Sequence, residues 1–338
     1  LFSKELKEQV LPDGGHFERS AMYHSIVLED LLDLIQLDAC FPGVLPEVQV
    51  SAWRNAAVRM LRWLKVMCHP DGKIPFFNDA AFDIAVDLNA LVGYARQAGV
   101  HVDGIAIKDV EVLDDSGFVC VRCADAVFIA DVGNVGPSYI PGHAHAESLA
   151  FELSVRGRRV LVNGGTSTYE AGPDRLKQRG TGMHNTMVVD GVDSSEVWGS
   201  FRVARRAKVH DLSVSVRSGS VIVSAWHDGY RRLPGRVEHL RTWRLKPGML
   251  VVEDLVRGRF QTASAFYRFC PELDVSKQGT VRSRDGLLQL EWIVEEASPA
   301  VAAGTWHPGF GVDQPCQVLE VQPLRDRAKL TLLWNQSP

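Results

Sequence analysis

The chain has 338 residues, of which 46% are hydrophobic, so it is long enough for two hydrophobic cores and is not disordered in composition. The formal net charge is −4 and no long basic run occurs, which argues against nucleic acid as a partner, because such binding needs a basic face. No apolar stretch is long enough to span a membrane.

The first hundred residues show the apolar spacing of amphipathic helices. Ser20 can cap a helix that runs to about residue 37, and further helices are predicted over about 47–67 and 80–97. Proline and glycine mark the ends of these segments. Three helices form only a small layer, so we expect them to pack against a larger structure.

From about residue 106 the pattern changes to short alternating runs separated by turns. The predicted strands cover about residues 118–123, 127–132, 149–155, 209–216, 221–226, 237–245, 250–255, 263–269, 287–293, 317–321 and 329–334. Many strands at short spacing indicate antiparallel sheets that are stacked as a sandwich. The sequence therefore predicts an α+β protein, with a helical domain over residues 1–105 and a large β-sandwich domain over 106–338.

Six cysteines are scattered along the chain, and Cys120 and Cys123 are the one closely spaced pair. This pair lies in a predicted strand, where residues three apart face opposite sides of the sheet. A redox or zinc pair would need both sulfur atoms on one side. We therefore expect buried or incidental thiols, and the composition implies no disulfide framework, which leaves the redox compartment open.

Unusual polar residues are concentrated in a few segments. The first is Asp-Gly-Gly-His-Phe-Glu-Arg-Ser-Ala-Met-Tyr-His at residues 13–24, which leads into the first helix. The others are His-Ala-His-Ala-Glu at 143–147, Val-Asn-Gly-Gly-Thr at 162–166, His-Asn-Thr at 184–186 and Phe-Arg at 201–202. In this order the motifs resemble those of the heparinase II/III-type polysaccharide lyases. The resemblance covers essentially the whole chain and implies the end of an (α/α) toroid joined to a β-sandwich of stacked sheets.

The resemblance also implies an acidic polysaccharide substrate and an eliminative reaction. A base removes the C5 proton of a uronic acid unit, and an acid protonates the departing O4, which leaves a C4–C5 double bond. Negative charge then develops on the carboxylate beside C5. Hydrogen-bond donors must therefore surround this carboxylate and neutralise it.

The resemblance assigns the catalytic roles to a tyrosine and a histidine. Tyr23 matches the family's acid, which can also act as the base, and a cap at Ser20 would place it in the first helical turn, where the dipole favours a phenolate modestly. The alternative is a tyrosine that packs with its hydroxyl at the surface. His24 either orients the site or belongs to the helix packing. His143 matches the residue that neutralises the substrate carboxylate or exchanges its proton.

By the same resemblance, His145, Asn163 and His184 correspond to structural zinc ligands. The zinc-binding members carry aspartate where this chain has Asn163, and a neutral amide is a weaker ligand than a carboxylate. Either the metal is bound loosely or hydrogen bonds replace it, and Glu147 is a nearby carboxylate that can compensate. A tight turn at residues 156–157 would place Asn163 well along its strand from His145, so spacing alone does not predict that the ligands meet.

Further candidates for substrate binding rest on residue type alone: Asn78, Arg179, Arg202, Tyr230 and His239. For Asn78 the alternative is a cap of the third helix. Arginine suits bidentate binding of carboxylate or sulfate, although a surface salt bridge is the usual role. The aromatic rings can stack on sugars or stabilise the sandwich.

Three functions are compatible with these residues. The first is a lyase acting on uronic-acid-containing polysaccharide, and the second is a carbohydrate-binding or exopolysaccharide-assembly protein that kept the fold but lost catalysis, an option that Asn163 favours. A glycoside hydrolase would need two carboxylates flanking the bond, whereas histidines and a tyrosine cluster here. We expect a bacterial periplasmic or cell-envelope location, with any export signal upstream of Leu1, and the sequence does not predict an oligomeric state.

Overall fold

The computed structural model describes residues 2–334, which begin with a layer of four helices. These are α1 (Phe2–Gln9), α2 (Ala21–Cys40), α3 (Glu47–Met67) and α4 (Leu88–Gln97). Ser20 caps α2, because its hydroxyl accepts a hydrogen bond from the Tyr23 amide at 3.2 Å. The two long helices agree with the prediction, whereas α1 was not predicted. In the described part of the chain, no helix combines the length and apolar character that a bilayer span requires.

The helix predicted over 80–97 is wrong at its start. α4 begins after Asp87, whose carboxylate caps the first turn at 2.9 Å. Asp83 has a φ of +61°, a conformation that an α-helix does not contain. Ala80 is buried in the core of the sheets, so tertiary packing overrides the helical pattern there. Asn78 therefore caps no helix, and residues 78–87 form an irregular connection.

Residues 110–334 contain nineteen strands that form four sheets. The strands are β1 (Val110–Leu113), β2 (Phe118–Cys123), β3 (Ala126–Asp131), β4 (Phe151–Val155), β5 (Arg158–Leu161), β6 (Met187–Val189), β7 (Val197–Trp198), β8 (Arg202–Val203), β9 (Val209–Arg217), β10 (Ser220–His227), β11 (Glu238–Lys246), β12 (Met249–Arg257), β13 (Ala263–Arg268), β14 (Leu273–Val275), β15 (Thr280–Ser283), β16 (Gln289–Glu295), β17 (Ala297–Gly309), β18 (Val312–Pro323) and β19 (Arg327–Trp334). A short helix, α5 (Pro173–Arg179), follows β5.

All pairings between these strands are antiparallel. The five-stranded sheet has the order β1-β2-β3-β4-β5, and the eight-stranded sheet has the order β14-β15-β16-β19-β12-β11-β10-β9. A four-stranded sheet, β17-β18-β13-β6, and the two-stranded hairpin β7-β8 complete the structure. The predicted helices-then-strands order and the antiparallel sheets are confirmed.

The five-stranded sheet lies between the helices and the other sheets. Along β2, Phe118 and Cys120 pack in the core of the helical layer, whereas Val119 and Val121 pack in the core shared with the other sheets. This alternation explains why residues 118–121 are apolar at every position, because both faces of this part of the strand are buried. The Cys120 thiol lies 3.6 Å from the sulfur of a methionine in α3, and all six cysteines are free, as predicted.

Aromatic side chains hold the three large sheets together. Phe151 in β4 contacts Trp243 in β11 and Tyr267 in β13, with ring centroids 6.1 and 6.2 Å apart. All three side chains are buried, so the sheets stack across one apolar layer. The stacked-sheet architecture is therefore a sandwich, and its edge nearest the helical layer carries the polar motifs.

Candidate active site

A buried carboxylate, Asp79, connects the helical layer to the sheets. The Ser20 hydroxyl donates to the Asp79 carbonyl oxygen at 2.5 Å. The Asp79 carboxylate accepts hydrogen bonds from His143 Nδ1 at 2.9 Å, His145 Nε2 at 2.8 Å and Arg175 Nη2 at 2.7 Å. Burial alone would favour the neutral acid, but these donors together hold the pKa of Asp79 well below its usual range. Asp79 is therefore a fixed negative charge.

Tyr23 from α2 and His143 from the sheet region lie against each other, with ring centroids 3.9 Å apart and planes inclined by 33°. An ionised carboxylate can only accept hydrogen bonds, so the His143 Nδ1 atom that faces Asp79 carries the proton. Nε2 then carries a lone pair on the opposite edge of the ring. The His143 side chain is 20% exposed, which leaves this edge open to a ligand.

The Tyr23 hydroxyl forms a hydrogen bond with the Tyr169 hydroxyl at 3.0 Å. Burial raises the pKa of Tyr23 and outweighs the opposite effect of Tyr169, so the phenol keeps its proton at neutral pH. This effect of burial is opposite in direction to the modest effect expected of the helix dipole. Phe201 and Phe310 contact the Tyr169 ring at 5.3 and 4.8 Å and fix its position.

A second carboxyl group, Glu18, lies near the free edge of His143. Its Oε2 atom is 4.0 Å from His143 Nε2 and 4.0 Å from His16 Nδ1. Burial raises the pKa of Glu18, which favours a protonated carboxyl, and lowers the pKa of His16 to about 4. Both ring nitrogens of His16 are buried without a hydrogen-bond partner. Tyr23, His143 and Glu18 therefore bring a phenol, an imidazole and a carboxyl group close together.

Three buried side chains, His145, Glu147 and His184, bring their ligand-type atoms within 4.8 Å of one another. His145 donates from Nε2 to Asp79, so its Nδ1 accepts the hydrogen of His184 Nε2 at 3.3 Å. His184 Nδ1 then carries a lone pair, which lies 3.1 Å from Glu147 Oε2. Neither of these two atoms has a hydrogen-bond partner. Two facing electron pairs require a proton on Glu147 or a cation beside both.

The pKa shifts in this cluster are compatible both with a proton on Glu147 and with a bound cation. Burial lowers the pKa of His145 and His184 to about 3, so both imidazoles are neutral and able to bind a metal. Burial also raises the pKa of Glu147 well above its usual range, which favours the protonated acid where no cation is bound.

Asn163 is placed differently from the predicted ligand set. Its Oδ1 atom accepts a hydrogen bond from the Asn185 amide at 3.0 Å, and its Nδ2 atom is buried without a partner. The Asn163 backbone amide donates to the Glu152 carboxylate at 2.9 Å. This contact lies well along the hairpin from its turn at residues 156–157, as the sequence predicts. One lone pair of the Asn163 oxygen is thus engaged, and Glu147 is the carboxylate that lies beside the two histidines.

The structure places His24 in the helix packing and away from the cavity. Its ring is fully buried and stacks on Trp63 at 4.4 Å. Nε2 pairs with the Met60 carbonyl oxygen at 3.0 Å, and Nδ1 accepts the His16 amide at 3.2 Å. With both nitrogens engaged and the ring buried, His24 belongs to the helix packing, one of the two roles expected for it.

Three candidates for substrate binding are corrected for the same reason. Arg179 is buried and donates to the backbone carbonyls of three residues. Tyr230 is buried and donates to the Met187 carbonyl oxygen at 2.6 Å, and His239 is buried against Asp254 at 2.6 Å. These side chains stabilise the sandwich and its loops.

The remaining two candidates lie near the catalytic residues. The Asn78 side chain accepts the His145 amide at 3.2 Å and donates to the Arg19 carbonyl oxygen at 3.0 Å, so it joins the two catalytic segments. Arg202 is exposed on the hairpin β7-β8. The sequence did not point to Asp79, because the partners of this carboxylate lie far away along the chain.

Comparisons with known proteins agree with this architecture. The model of the family described as Heparinase II/III-like, C-terminal, matches residues 107–334, and that described as Heparinase II/III N-terminus matches residues 1–97. No curated protein matches the chain. A solved heparinase III has a TM-score of 0.78 at 16% identity over 99% of this chain and 56% of its own. For the heparan sulfate lyase HepC from Pedobacter heparinus, the TM-score is 0.74 at 17% identity over 99% of this chain and 55% of its own.

These likenesses concern the fold, and the chain spans about half the length of the solved structures that it matches. The two family models together cover most of the sequence, and the catalytic motifs of the helical layer and of the sheets fall within them. The chain belongs to the heparinase II/III family.

Proposed function

We propose that the protein cleaves uronic-acid-containing polysaccharide by β-elimination. The observation that carries this proposal is the contact between the Tyr23 and His143 rings, 3.9 Å apart, with Asp79 holding the imidazole. The fold likeness to a protein described as a heparan sulfate lyase supports the same reaction class. We further propose that α1–α4 form the end of an (α/α) toroid.

The protonation states support distinct roles for the two rings. His143 Nε2 carries a lone pair on its open edge, so it accepts the C5 proton of the uronic acid unit. Tyr23, whose pKa is raised by burial, keeps its proton and donates it to the departing O4. Glu18, whose pKa is also raised by burial, lies 4.0 Å from His143 Nε2. In its protonated form this carboxyl would donate a hydrogen bond to the substrate carboxylate as charge develops there.

We also propose that His145, Glu147 and His184 bind a structural Zn²⁺. Two neutral imidazoles and a carboxylate are a suitable donor set for zinc, and the unpartnered Glu147 and His184 atoms support a cation. When bound, the ion would hold the segments around residues 145 and 184 together. His145 would then keep Asp79, and through it His143, in place.

The decisive experiment is incubation with a panel of uronate polysaccharides while ultraviolet absorbance reports the unsaturated product. We expect Tyr23→Phe to lower the rate at least about a hundredfold, because the acid is lost, and to leave the melting temperature close to that of the wild type. Tyr94→Phe is the matched control, since Tyr94 pairs with Asp33 at the surface of the helical layer. Full activity in Tyr23→Phe would show that the acid is another residue.

A glycan-binding protein without catalysis is the second candidate. Asn163 favours it, because the residue that resembles a zinc ligand of the family is an amide whose oxygen is already engaged. Measurable affinity for a polysaccharide, with no absorbance change under any metal condition, would identify this function.

A further inference from the structure

The hairpin β7-β8 borders the space in front of the catalytic pair. Phe201 at its turn contacts the His143 ring edge-on, with centroids 5.8 Å apart, and also contacts Tyr169. On the same hairpin, Trp198 is 49% exposed and pairs in register with Arg202. The Arg202 guanidinium carbon lies 4.7 Å from the centroid of the Trp198 ring. The hairpin thus presents an aromatic surface and a cation, and its turn lies against His143 and Tyr169.

Two buried arginines fix this hairpin relative to the catalytic residues. Arg175, which binds Asp79, also donates from Nε to the Ser200 carbonyl oxygen at 3.0 Å. Arg179 donates to the carbonyl oxygens of Gly199 at 3.1 Å and Arg202 at 3.3 Å. Arg175 uses its donors on Asp79 and on the backbone, and Arg179 uses its donors on the backbone. Both side chains are buried, so they are not available to substrate. They make the hairpin a rigid, preorganised surface instead.

Arg202 is chemically different from its neighbours. Arg205 on the same segment pairs with Glu196, whereas no carboxylate of residues 2–334 pairs with Arg202. A guanidinium without an acidic partner can bind a carboxylate or a sulfate in bidentate fashion. The exposed indole offers flat apolar area that suits the C–H face of a pyranose ring. The protein has a net charge of −4, which repels an anionic ligand. A cation at the binding surface is needed to offset this repulsion.

We propose that the hairpin β7-β8 is a binding subsite for an acidic sugar adjacent to the one cleaved. Trp198 stacks on this sugar, and Arg202 binds its carboxylate or sulfate. The proposal rests on the proposed lyase function for the identity of the polymer, but the subsite itself is a binding property. It explains why two buried arginines are engaged in holding a short exposed hairpin.

The test compares wild type, Trp198→Ala and Arg202→Gln on heparan sulfate and on chemically desulfated heparan sulfate. Initial rates of unsaturated product should give a KM about tenfold higher for each variant, with a much smaller change in kcat, because the contact is made equally in the ground and transition states. A larger effect of Arg202→Gln on the sulfated polymer identifies a sulfate, and equal effects identify a carboxylate.

Trp226→Ala is the matched control. Trp226 lies in β10 of the eight-stranded sheet, and the Arg231 guanidinium carbon is 4.8 Å from the centroid of its ring. The Trp226 ring stacks on His210 and contacts neither Tyr23 nor His143. A KM within twofold of wild type in all three variants overturns the subsite. If wild type forms no unsaturated product, the lyase function fails for these polymers, and calorimetric affinities decide the subsite instead. Weaker binding of the two hairpin variants but not of Trp226→Ala supports it, whereas equal affinities, or no binding by wild type, overturn it.

Discussion

Asp79 fixes the position of the His143 imidazole, because it binds His143, His145 and Arg175 at once. In Asp79→Asn, the amide cannot accept all of these hydrogen bonds, and Arg175 is left buried without a counter-charge. We expect kcat/KM to fall at least about a hundredfold and the free energy of unfolding to fall by about 3–5 kcal/mol. Product absorbance and denaturant unfolding measure the two effects.

Asp254→Asn provides the control for this prediction. Asp254 is also fully buried and binds a histidine and an arginine, His239 and Arg241, each at 2.6 Å. It lies between sheets and outside the cavity, so its loss should cost similar stability but leave kcat/KM of the folded protein within a few-fold of wild type. Equal losses of kcat/KM in the two variants would contradict a specific role for Asp79.

The pH dependence of the Asp79 effect follows from its pKa. The carboxyl has a pKa below its ordinary value of 3.8, because its hydrogen bonds outweigh burial. A depressed pKa in the folded state stabilises the protein above the ordinary pKa and loses that contribution as pH falls below it. The stability difference between wild type and Asp79→Asn should therefore be complete at neutral pH and narrow below about pH 4.

Ordered motifs in the sequence point to Tyr23, His143, His145 and His184, and the structure brings Tyr23 next to His143 and His145 next to His184. The sequence could not identify Asp79, one of 41 acidic residues, because the importance of this carboxylate arises only in three dimensions. Its partners lie far away in sequence, His143 by 64 positions and Arg175 by 96. Convergence over such separations has no local pattern, and charge spacing does not report it.

At the scale of elements, a close backbone contact joins the Val-Asn-Gly-Gly-Thr segment to β17. The His307 amide donates to the Gly164 carbonyl oxygen at 2.8 Å, and a Cβ atom at Gly165 would overlap the His307 carbonyl oxygen. Gly165→Ala should therefore separate the two segments and lower the free energy of unfolding by well over the ~1–2 kcal/mol that left-handed backbone alone costs. Chemical denaturation measures this loss.

Gly157 allows steric overlap to be separated from backbone strain. Its φ of +77° is close to the +75° of Gly165, but a Cβ atom there would meet no heavy atom within 4 Å. Gly157→Ala should cost only about 1–2 kcal/mol, the strain shared by both positions. Equal losses in the two variants would mean that the contact with β17 is not tight.

The elements that the sequence predicted well are those with strong periodicity, such as α2, α3 and β2. β17 was missed because it is rich in alanine, glycine and proline, residues with low strand propensity. It is an edge strand that pairs only with β18 in the four-stranded sheet, and proline is tolerated at an edge. The start of α4 was misplaced because residues 78–87 follow tertiary contacts and not their helical pattern.

At the scale of the whole molecule, the helical layer and the sheets share their cores. The two faces of β2 are buried in different clusters, one with the helices and one with the other sheets. Glu152 in β4 is fully buried. Its carboxylate lies 2.9 Å from Nε2 of His69, the residue that follows α3 in the helical layer. Although the sequence predicted two domains, these contacts favour one cooperative unfolding transition for residues 2–334.

Because the two layers are expected to unfold together, loss of a bound metal should lower one melting temperature for the whole molecule. An ion bound only by the native state at a hundred times its dissociation constant contributes about 2.7 kcal/mol. Chelation should then lower the melting temperature by roughly 4 °C. Helical circular dichroism and tryptophan fluorescence should shift together, because the cluster of His145, Glu147 and His184 adjoins Asp79 between the two layers.

Glu147→Gln tests the assignment of the ligands. The amide oxygen can still accept the Asn78 amide, as the carboxylate does at 2.5 Å, while the charge that favours a cation is removed. We expect this variant to lose its response to chelator and to added zinc. If elemental analysis finds no metal in the wild type, and neither chelator nor zinc moves its melting temperature, then a proton on Glu147 separates the two facing electron pairs and the site is not a metal site.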